Sequence, residues 1–493
     1  MATDSMPQKI ESLKDKAWAR WTALVLLASA MFFAYIFMDV LSPLQEYLQN
    51  TKDWDPQAYG RFAGSETFLN VFVFFLIFAG IILDKMGVRF TAILSGSVMF
   101  IGGFINYYAL TDAFASSGIA TFMDHFINLP DTWWNITPFY AGMPASAKFS
   151  AIGFMIFGCG VEMAGITVSR GIVKWFQGKE MALAMGTEMA LARVGVAVVV
   201  LGSPFLATLG GKIDVSRSLA VSMLLLLIGL IAFIVYAFMD KRLEKEAGAS
   251  LEEKDDPFKI SDLKYILSSK VFWIVALLCV LYYSAIFPFQ KYAINMLQCN
   301  LGVSAQDAGF VFFVFPLGAA AITPILGNFL DRQGKGATML IFGALLMIVC
   351  HLTFAFVLPA TGSKLIAYGA IILLGISFSL VPASLWPSVP KLVDNKLLGS
   401  AYAVIFWIQN IGLYAFPMII GGVLAVCNRG IENPLEYNYT VPMIVFAALG
   451  FLALILGFTL KALDAKHHYG LEEPNIKEKK EDYATPEVLE AEM

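Results

Sequence analysis

The chain has 493 residues, 58% of them hydrophobic and 15% charged, with a formal net charge of −4. A soluble domain carries about 25% charged residues, so this composition excludes an ordinary soluble fold and points to a membrane protein with many crossings. The small net charge excludes a strongly basic nucleic-acid binder, and the five Cys follow no metal, redox or disulfide spacing.

A helix needs roughly 20 mostly apolar residues to cross the hydrocarbon core. The first 20 residues are polar and read as a cytoplasmic segment without a cleavable signal. Twelve spans follow, expected at 21–48, 62–83, 90–111, 149–173, 181–208, 217–239, 270–298, 306–330, 338–358, 364–389, 399–426 and 440–463. All are read as helices, because lipid offers the backbone no hydrogen-bond partner. The expected fold class is therefore all-α, with both termini on one side. Most of the 34 Lys and Arg fall in the termini and the even-numbered loops, which makes that side the cytoplasm. The charged stretch at 240–269 reads as a linker between a six-helix bundle over 21–239 and a second over 270–463. Residues 464–493 read as a disordered cytoplasmic tail. The outer loop at 112–148 is long and aromatic-rich, with Trp133 and Trp134 expected at headgroup level and a lid role open. No P-loop, metal cluster or nucleophile triad appears. The expectation is no enzyme, no cofactor and no nucleotide-driven pump.

Two phrases recur at matched distances. Pro43, Gln45 and Tyr47 match Pro288, Gln290 and Tyr292. Each copy is followed by a glycine–acid–base–glycine turn, "GIILDKMGVR" after span 2 and "GNFLDRQGKG" after span 8. A period this long indicates duplication of a six-span unit. Two parallel six-span halves place a binding site between them, near mid-membrane.

The turn built from Gly80, Asp84, Lys85, Gly87 and Arg89 resembles the signature after the second helix of the major facilitator superfamily, and Gly327, Asp331, Arg332, Gly334 and Lys335 resemble its echo. The resemblance implies two pseudo-symmetric six-helix bundles and an inner latch in which Asp84, Lys85, Arg89, Glu188, Asp331 and Arg332 take part. "GCGVEMAG", "GKEMALAMGTEMALARVG", "YYSAIFPF", "LWPSVP" and "IQNIGL" are similar to one branch, the lysosomal dipeptide transporters. That branch implies that Glu162 and Arg193 contact the two ends of a dipeptide, and it matches Asp39 and Gln45 in span 1.

A charge at bilayer depth is costly unless paired or facing water, so it is read as functional. On span 1, Tyr35, Asp39, Ser42 and Glu46 share one face. Ser284 and Lys291 occupy the positions matching Asp39 and Glu46. Opposite charges at matched positions suggest Glu46–Lys291 as an outer-gate pair, with Pro43 and Pro288 letting the helix ends bend. Glu162 and Arg193 stand at equal depth, either paired or facing a crevice. Tyr35, Asp39, Ser284, Trp386, Gln409 and Asn410 are expected to complete the substrate site, and a proton-binding role is open for Glu66, as for Asp39 and Glu162. His351 reads as structural. The function read from all this is a monomeric secondary transporter in a bacterial inner membrane, moving a small amphoteric solute such as a dipeptide. The alternatives are a proton-coupled carboxylate symporter and a non-transporting membrane sensor on the same fold.

Overall fold

The computed structural model describes residues 13–132, 134–177, 179–247, 260–393 and 397–474. The start of the N-terminal segment (1–12), the middle of the expected linker (248–259), the end of the tail (475–493), Trp133 and Gly178 lie outside the described residues.

Among the described residues every regular element is a helix, and eleven of these helices are long and apolar enough to cross a membrane. The spans are α1 (Ala17–Asp39), α4 (Ala145–Phe176), α5 (Met181–Thr208), α6 (Val215–Ala247), α7 (Lys270–Leu301), α8 (Ala305–Phe312 with Val314–Gln333), α9 (Gly336–Leu352, carried on to Thr361), α10 (Lys364–Leu392), α11 (Leu398–Cys427) and α12 (Thr440–His467). The helix Phe75–Ala109 contains Gly87 at φ 75, ψ 168. That residue turns the chain, so 75–86 ends α2 and 88–109 is α3. Gly334, its counterpart between α8 and α9, has φ 73. Only glycine enters such a conformation without a Cβ penalty, which is why both copies of the turn phrase keep it. The chain thus forms two pseudo-symmetric bundles of six, α1–α6 and α7–α12.

The crossing α2 is broken. It comprises Pro56–Ser65, Phe68–Phe72 and then 75–86, interrupted at Glu66–Thr67 and at Val73–Phe74, with Phe74 at φ 55. A single helix over 62–83 was expected. Hydropathy sees an unbroken apolar run here, yet irregular backbone at membrane depth is tolerated where protein or a cavity supplies partners. Trp407 of α11 supplies one, donating from Nε1 to the Val71 carbonyl at 3.0 Å. The two prolines also differ. At Pro43 the chain leaves α1 through a tight turn, Ser42–Leu44, into the short helix Gln45–Lys52. At Pro288 α7 runs on as one helix, with the proline inside it.

The bundles meet along α2–α11 and α5–α8, and the contact is concentrated at the end away from the termini. There Pro56–Ser65 lies along α11, and Ser42–Leu44 packs on α7. A Cβ on Gly60 would stand 2.5 Å from the Pro417 carbonyl, and one on Gly421 would stand 2.4 Å from that of Pro56. Toward the termini α2 barely touches α11, and Phe78, Ile81 and Met86 are exposed. The far mouth is shut and the terminal mouth is splayed.

Two boundary expectations need correction. The linker is shorter than 240–269, because α6 continues to Ala247 and Ile260–Ser268 is a helix. The tail does not leave the protein at 464. Buried Asp464 accepts from the N–H groups of Leu471 and Glu472 at 3.1 and 3.3 Å, folding the chain back on the start of α9. The loop at 112–148 is clasped as well: Arg61 donates to the carbonyls of Asn135 and Thr137 at 2.6 Å each, and Tyr414 bonds the Ile136 carbonyl.

Candidate functional site

Between the bundles, midway along the crossings, polar groups converge on Tyr35 of α1. Its charged neighbours are Glu188, Glu162, Glu66 and Arg193. Glu66 sits in the break of α2, Glu162 on α4, Glu188 and Arg193 on α5. The two breaks in α2 place Glu66 beside a helix end, and Gly158 lets α4 press against the Glu66 backbone, where a Cβ would come 1.8 Å from its carbonyl oxygen. Glu162 follows Gly158 by one turn and so enters the crevice at nearly the same depth.

Glu162 and Arg193 do not pair with each other. Glu162 accepts a hydrogen bond from Asn410 of α11 at 3.3 Å. Arg193 donates from Nη1 to the Ala319 carbonyl of α8 at 2.8 Å and to the Thr323 hydroxyl. Its guanidinium lies 4.9 Å over the ring of Phe378 on α10, a cation–π contact. Each charge is therefore held by uncharged groups of the opposite bundle. Among the described residues, Oε2 of Glu162 and the Nε–Nη2 edge of Arg193 have no protein partner.

The facing wall is aromatic. Tyr283 of α7 touches Phe287, Phe378 and Trp386, and Trp386 packs on Tyr402 and Phe406. Trp386 donates from Nε1 to the Tyr283 hydroxyl at 3.1 Å, and Tyr402 donates to the Trp386 carbonyl at 3.3 Å. Trp386 and Asn410 border the crevice. Ser284 and Gln409 do not. Ser284 is fully buried, and an added Cβ on Gly412 would come 2.1 Å from its hydroxyl. Gln409 accepts from the Cys279 thiol at 3.3 Å. Both pack α7 against α11, because they lie on the faces of those helices turned to each other.

Nearer the shut mouth, Lys291 closes on Asp39 at 2.8 Å and also donates to the Met38 carbonyl at 2.8 Å. Gln290 donates to the other Asp39 oxygen at 2.6 Å. Gln45 donates to the Lys291 carbonyl at 2.5 Å, and Glu46 accepts from Gln298 at 2.7 Å. This corrects two expectations. Lys291 pairs with Asp39 and not with Glu46, and Asp39 is engaged by Lys291 and Gln290 at the shut mouth rather than standing open to the crevice. The reason is the kink after Asp39, which ends α1 there and turns Glu46 toward the next two turns of α7.

At the terminal end, the ion pairs of the expected latch residues seen among the described residues lie within one bundle. Asp84 pairs with Arg170 at 2.6 Å and Arg89 with Glu244 at 2.8 Å, both within the first bundle. Lys174 joins that network through Asp240 and Glu244 at 2.8 and 2.7 Å. Arg332 bonds Asn328 on its own helix at 3.2 Å, and no ion pair of Lys85 is seen among the described residues. Glu188 faces Tyr35 and makes no ion pair among the described residues. Asp331, the echo of Asp84, keeps its place at the end of α8. Glu180, in the turn before α5, is held below the ordinary carboxylate range by its own backbone N–H and then by Arg20. His351 is fully buried and stacked on Phe446.

Sequence reasoning missed Tyr283, Phe378, Thr323 and Gln298. Tyr283 lies inside the quoted stretch "YYSAIFPF", where its phenol could have been singled out. Phe378 and Thr323 carry no signal in a chain with 41 Phe.

A family model described as Major Facilitator Superfamily matches residues 27–417 and 292–482. The lysosomal dipeptide transporter MFSD1 of Bos taurus is 30% identical over 280 residues, 55% of this chain and 58% of that protein. The match thus spans little more than half the length of that curated relative. Among solved structures, a bacterial homolog of the human lysosomal transporter Spinster, in an inward-facing and occupied conformation, superposes with a TM-score of 0.64 at 15% identity, covering 91% of this chain and 98% of that one. The xylose transporter XylE from E. coli, in a partially occluded inward-open conformation, gives 0.62 at 15% identity, covering 89% and 99%. At that identity the likeness is one of fold.

Proposed function

This chain belongs to the Major Facilitator Superfamily, and from that premise we propose that it carries a small amphoteric solute, a dipeptide, across the membrane by alternating access between its two bundles. One observation carries the reading. Glu162 and Arg193 line one crevice at similar depth yet are held apart, each by neutral donors or acceptors of the opposite bundle. Opposite charges left unpaired at bilayer depth are costly. A solute with an ammonium at one end and a carboxylate at the other satisfies both, the carboxylate through two parallel hydrogen bonds to the guanidinium edge. Because each charge also touches the opposite bundle, binding a solute between them reports on closure. The similarity to a protein named as a dipeptide transporter supports the same substrate.

In this reading both termini are cytoplasmic, the shut mouth is the outer one, and the structure is inward-facing. The chain acts as a monomer. The test is uptake of labelled Ala-Ala into proteoliposomes. Saturable uptake that Arg193→Ala abolishes is expected, and absence of dipeptide flux in a folded preparation overturns it.

A second reading, proton-coupled carboxylate symport, is favoured by the three carboxylates, Glu66, Glu162 and Glu188, gathered about Tyr35. Flux of monoacids that requires a pH gradient, without dipeptide flux, would select it.

A further inference from the structure

We propose that Tyr283, with Trp386 behind it, reads the central amide of the solute and so separates dipeptides from other molecules with the same two charged ends. The assignment rests on the dipeptide reading above and names a specificity group within that site.

A dipeptide presents two charged ends with an amide between them. Glu162 and Arg193 account for its termini, but an amino acid or an ω-amino acid carries those too. What distinguishes a dipeptide is a C=O acceptor and an N–H donor midway. The protein must offer polar groups between the two charges. Two phenols lie close to these charges. Tyr35 of α1 is within electrostatic range of both Glu162 and Arg193, and Tyr283 of α7 packs on Phe378, the ring beneath the Arg193 guanidinium. They come from opposite bundles.

Tyr283 is oriented for this role. Its oxygen accepts the Trp386 indole N–H at 3.1 Å. Trp386 is fixed in turn by Tyr402 at its carbonyl and by ring contacts with Phe406 and Tyr402. Phe287 stacks on the Tyr283 ring at 5.5 Å. With one lone pair engaged by the indole, the phenol must direct its own proton elsewhere. Among the described residues nothing accepts that proton. Donating it to a carbonyl completes the group, and the indole behind polarises the O–H and strengthens the donation. Tyr35, which makes no side-chain hydrogen bond among the described residues, is placed to accept the amide N–H. The hydroxyls would thus bracket the peptide bond, one from each bundle.

The test compares Ala-Ala with 5-aminopentanoate, which has the same charged ends and no amide, on the full chain in proteoliposomes. Affinity is read by competition with labelled Ala-Ala and by ligand-induced thermal shift. The wild-type chain should prefer Ala-Ala by roughly tenfold, the scale of one well-made hydrogen bond. Tyr283→Phe, which keeps the ring and its stacking, should weaken Ala-Ala by about that factor and leave 5-aminopentanoate unchanged. Trp386→Phe should lower the preference in the same direction. If Tyr283→Phe weakens both compounds equally, or neither, the assignment is overturned while the dipeptide reading stands. If the wild-type chain, folded by its melting behaviour, binds neither compound, the dipeptide reading falls and takes this assignment with it.

Discussion

Lys291 of α7 holds Asp39 at the end of α1 at 2.8 Å, and seven residues further along the chain from each, Gln298 donates to Glu46 at 2.7 Å. The two helices run the same way, so these contacts are successive rungs of one ladder at the shut mouth. Asp39 is 1% exposed at its side chain and Lys291 is 10% exposed. Removing one member of a buried pair leaves an uncompensated charge and costs about 3–5 kcal/mol.

Asp39→Asn should therefore destabilise the shut mouth. A cysteine placed at Ser42 should react faster with a membrane-impermeant thiol reagent than it does beside an intact Asp39. The exchange of both charges, Asp39→Lys with Lys291→Asp, should recover part of the protection. The exchange of Glu46 and Lys291 should recover none. Full recovery by the second exchange would restore the pairing that the repeat suggested.

Gly60 and Gly421 let α2 and α11 touch backbone to backbone. Gly421→Ala would set a methyl 2.4 Å from the Pro56 carbonyl. Overpacking of that kind costs about 1–3 kcal/mol. The variant should populate a state with the shut mouth open, seen as faster thiol labelling at Ser42→Cys and slower net flux. Unchanged labelling would mean that the mouth shuts without this contact.

Arg193→Lys keeps the charge and loses the planar fork. A lysine presents a point charge with no bidentate edge. Dipeptide affinity should fall at least tenfold, with about 1.4 kcal/mol lost for the second hydrogen bond. Arg193→Ala should lose transport altogether. An Arg193→Lys variant with normal affinity would show that the guanidinium serves only as a cation.

Residues 468–474 form a strap on the second bundle. Glu472 accepts from the Thr338 N–H at 2.7 Å and from its hydroxyl at 2.8 Å, and Lys391 donates to the Gly470 and Glu473 carbonyls at 2.8 and 3.0 Å. A carboxylate at the start of α9 is favoured by the helix dipole and its free N–H groups. Glu472→Ala should release the strap, at a cost of about 1–2 kcal/mol, and limited proteolysis should then cut between Tyr469 and Pro474. Gly334→Ala should do the same, since its φ is 73 and a Cβ would meet the Glu472 carbonyl at 2.4 Å. Resistance equal to that of the unaltered chain would mean that the strap is held by other contacts.

The stretches that were legible in sequence share a cause. Apolar runs of about 20 residues have one solution in lipid, the helix, so the spans and their order followed from composition. The glycines at 87 and 334 announced turns because only glycine takes that backbone conformation without strain. Glu162 and Arg193 stood out because ionised groups at that depth are rare. The break in α2 was hidden. Residues 66–74 are mostly apolar, and what frees their backbone from a helix is the indole of Trp407, more than 300 positions away in the chain. The tail was read as disordered from its charges, while the partner that orders its start is the exposed end of α9.

By itself the sequence determined a duplicated twelve-span chain and the residues too polar to face lipid, since those follow from the local cost of burying backbone and charge. Which of those residues touch was decided by tertiary structure alone. The repeat makes Glu46 and Lys291 equivalent, but equivalence under a two-fold axis is not contact. Residues related by the axis meet only where they lie on it, and the kink after Asp39 sets the rungs so that Lys291 finds Asp39 instead.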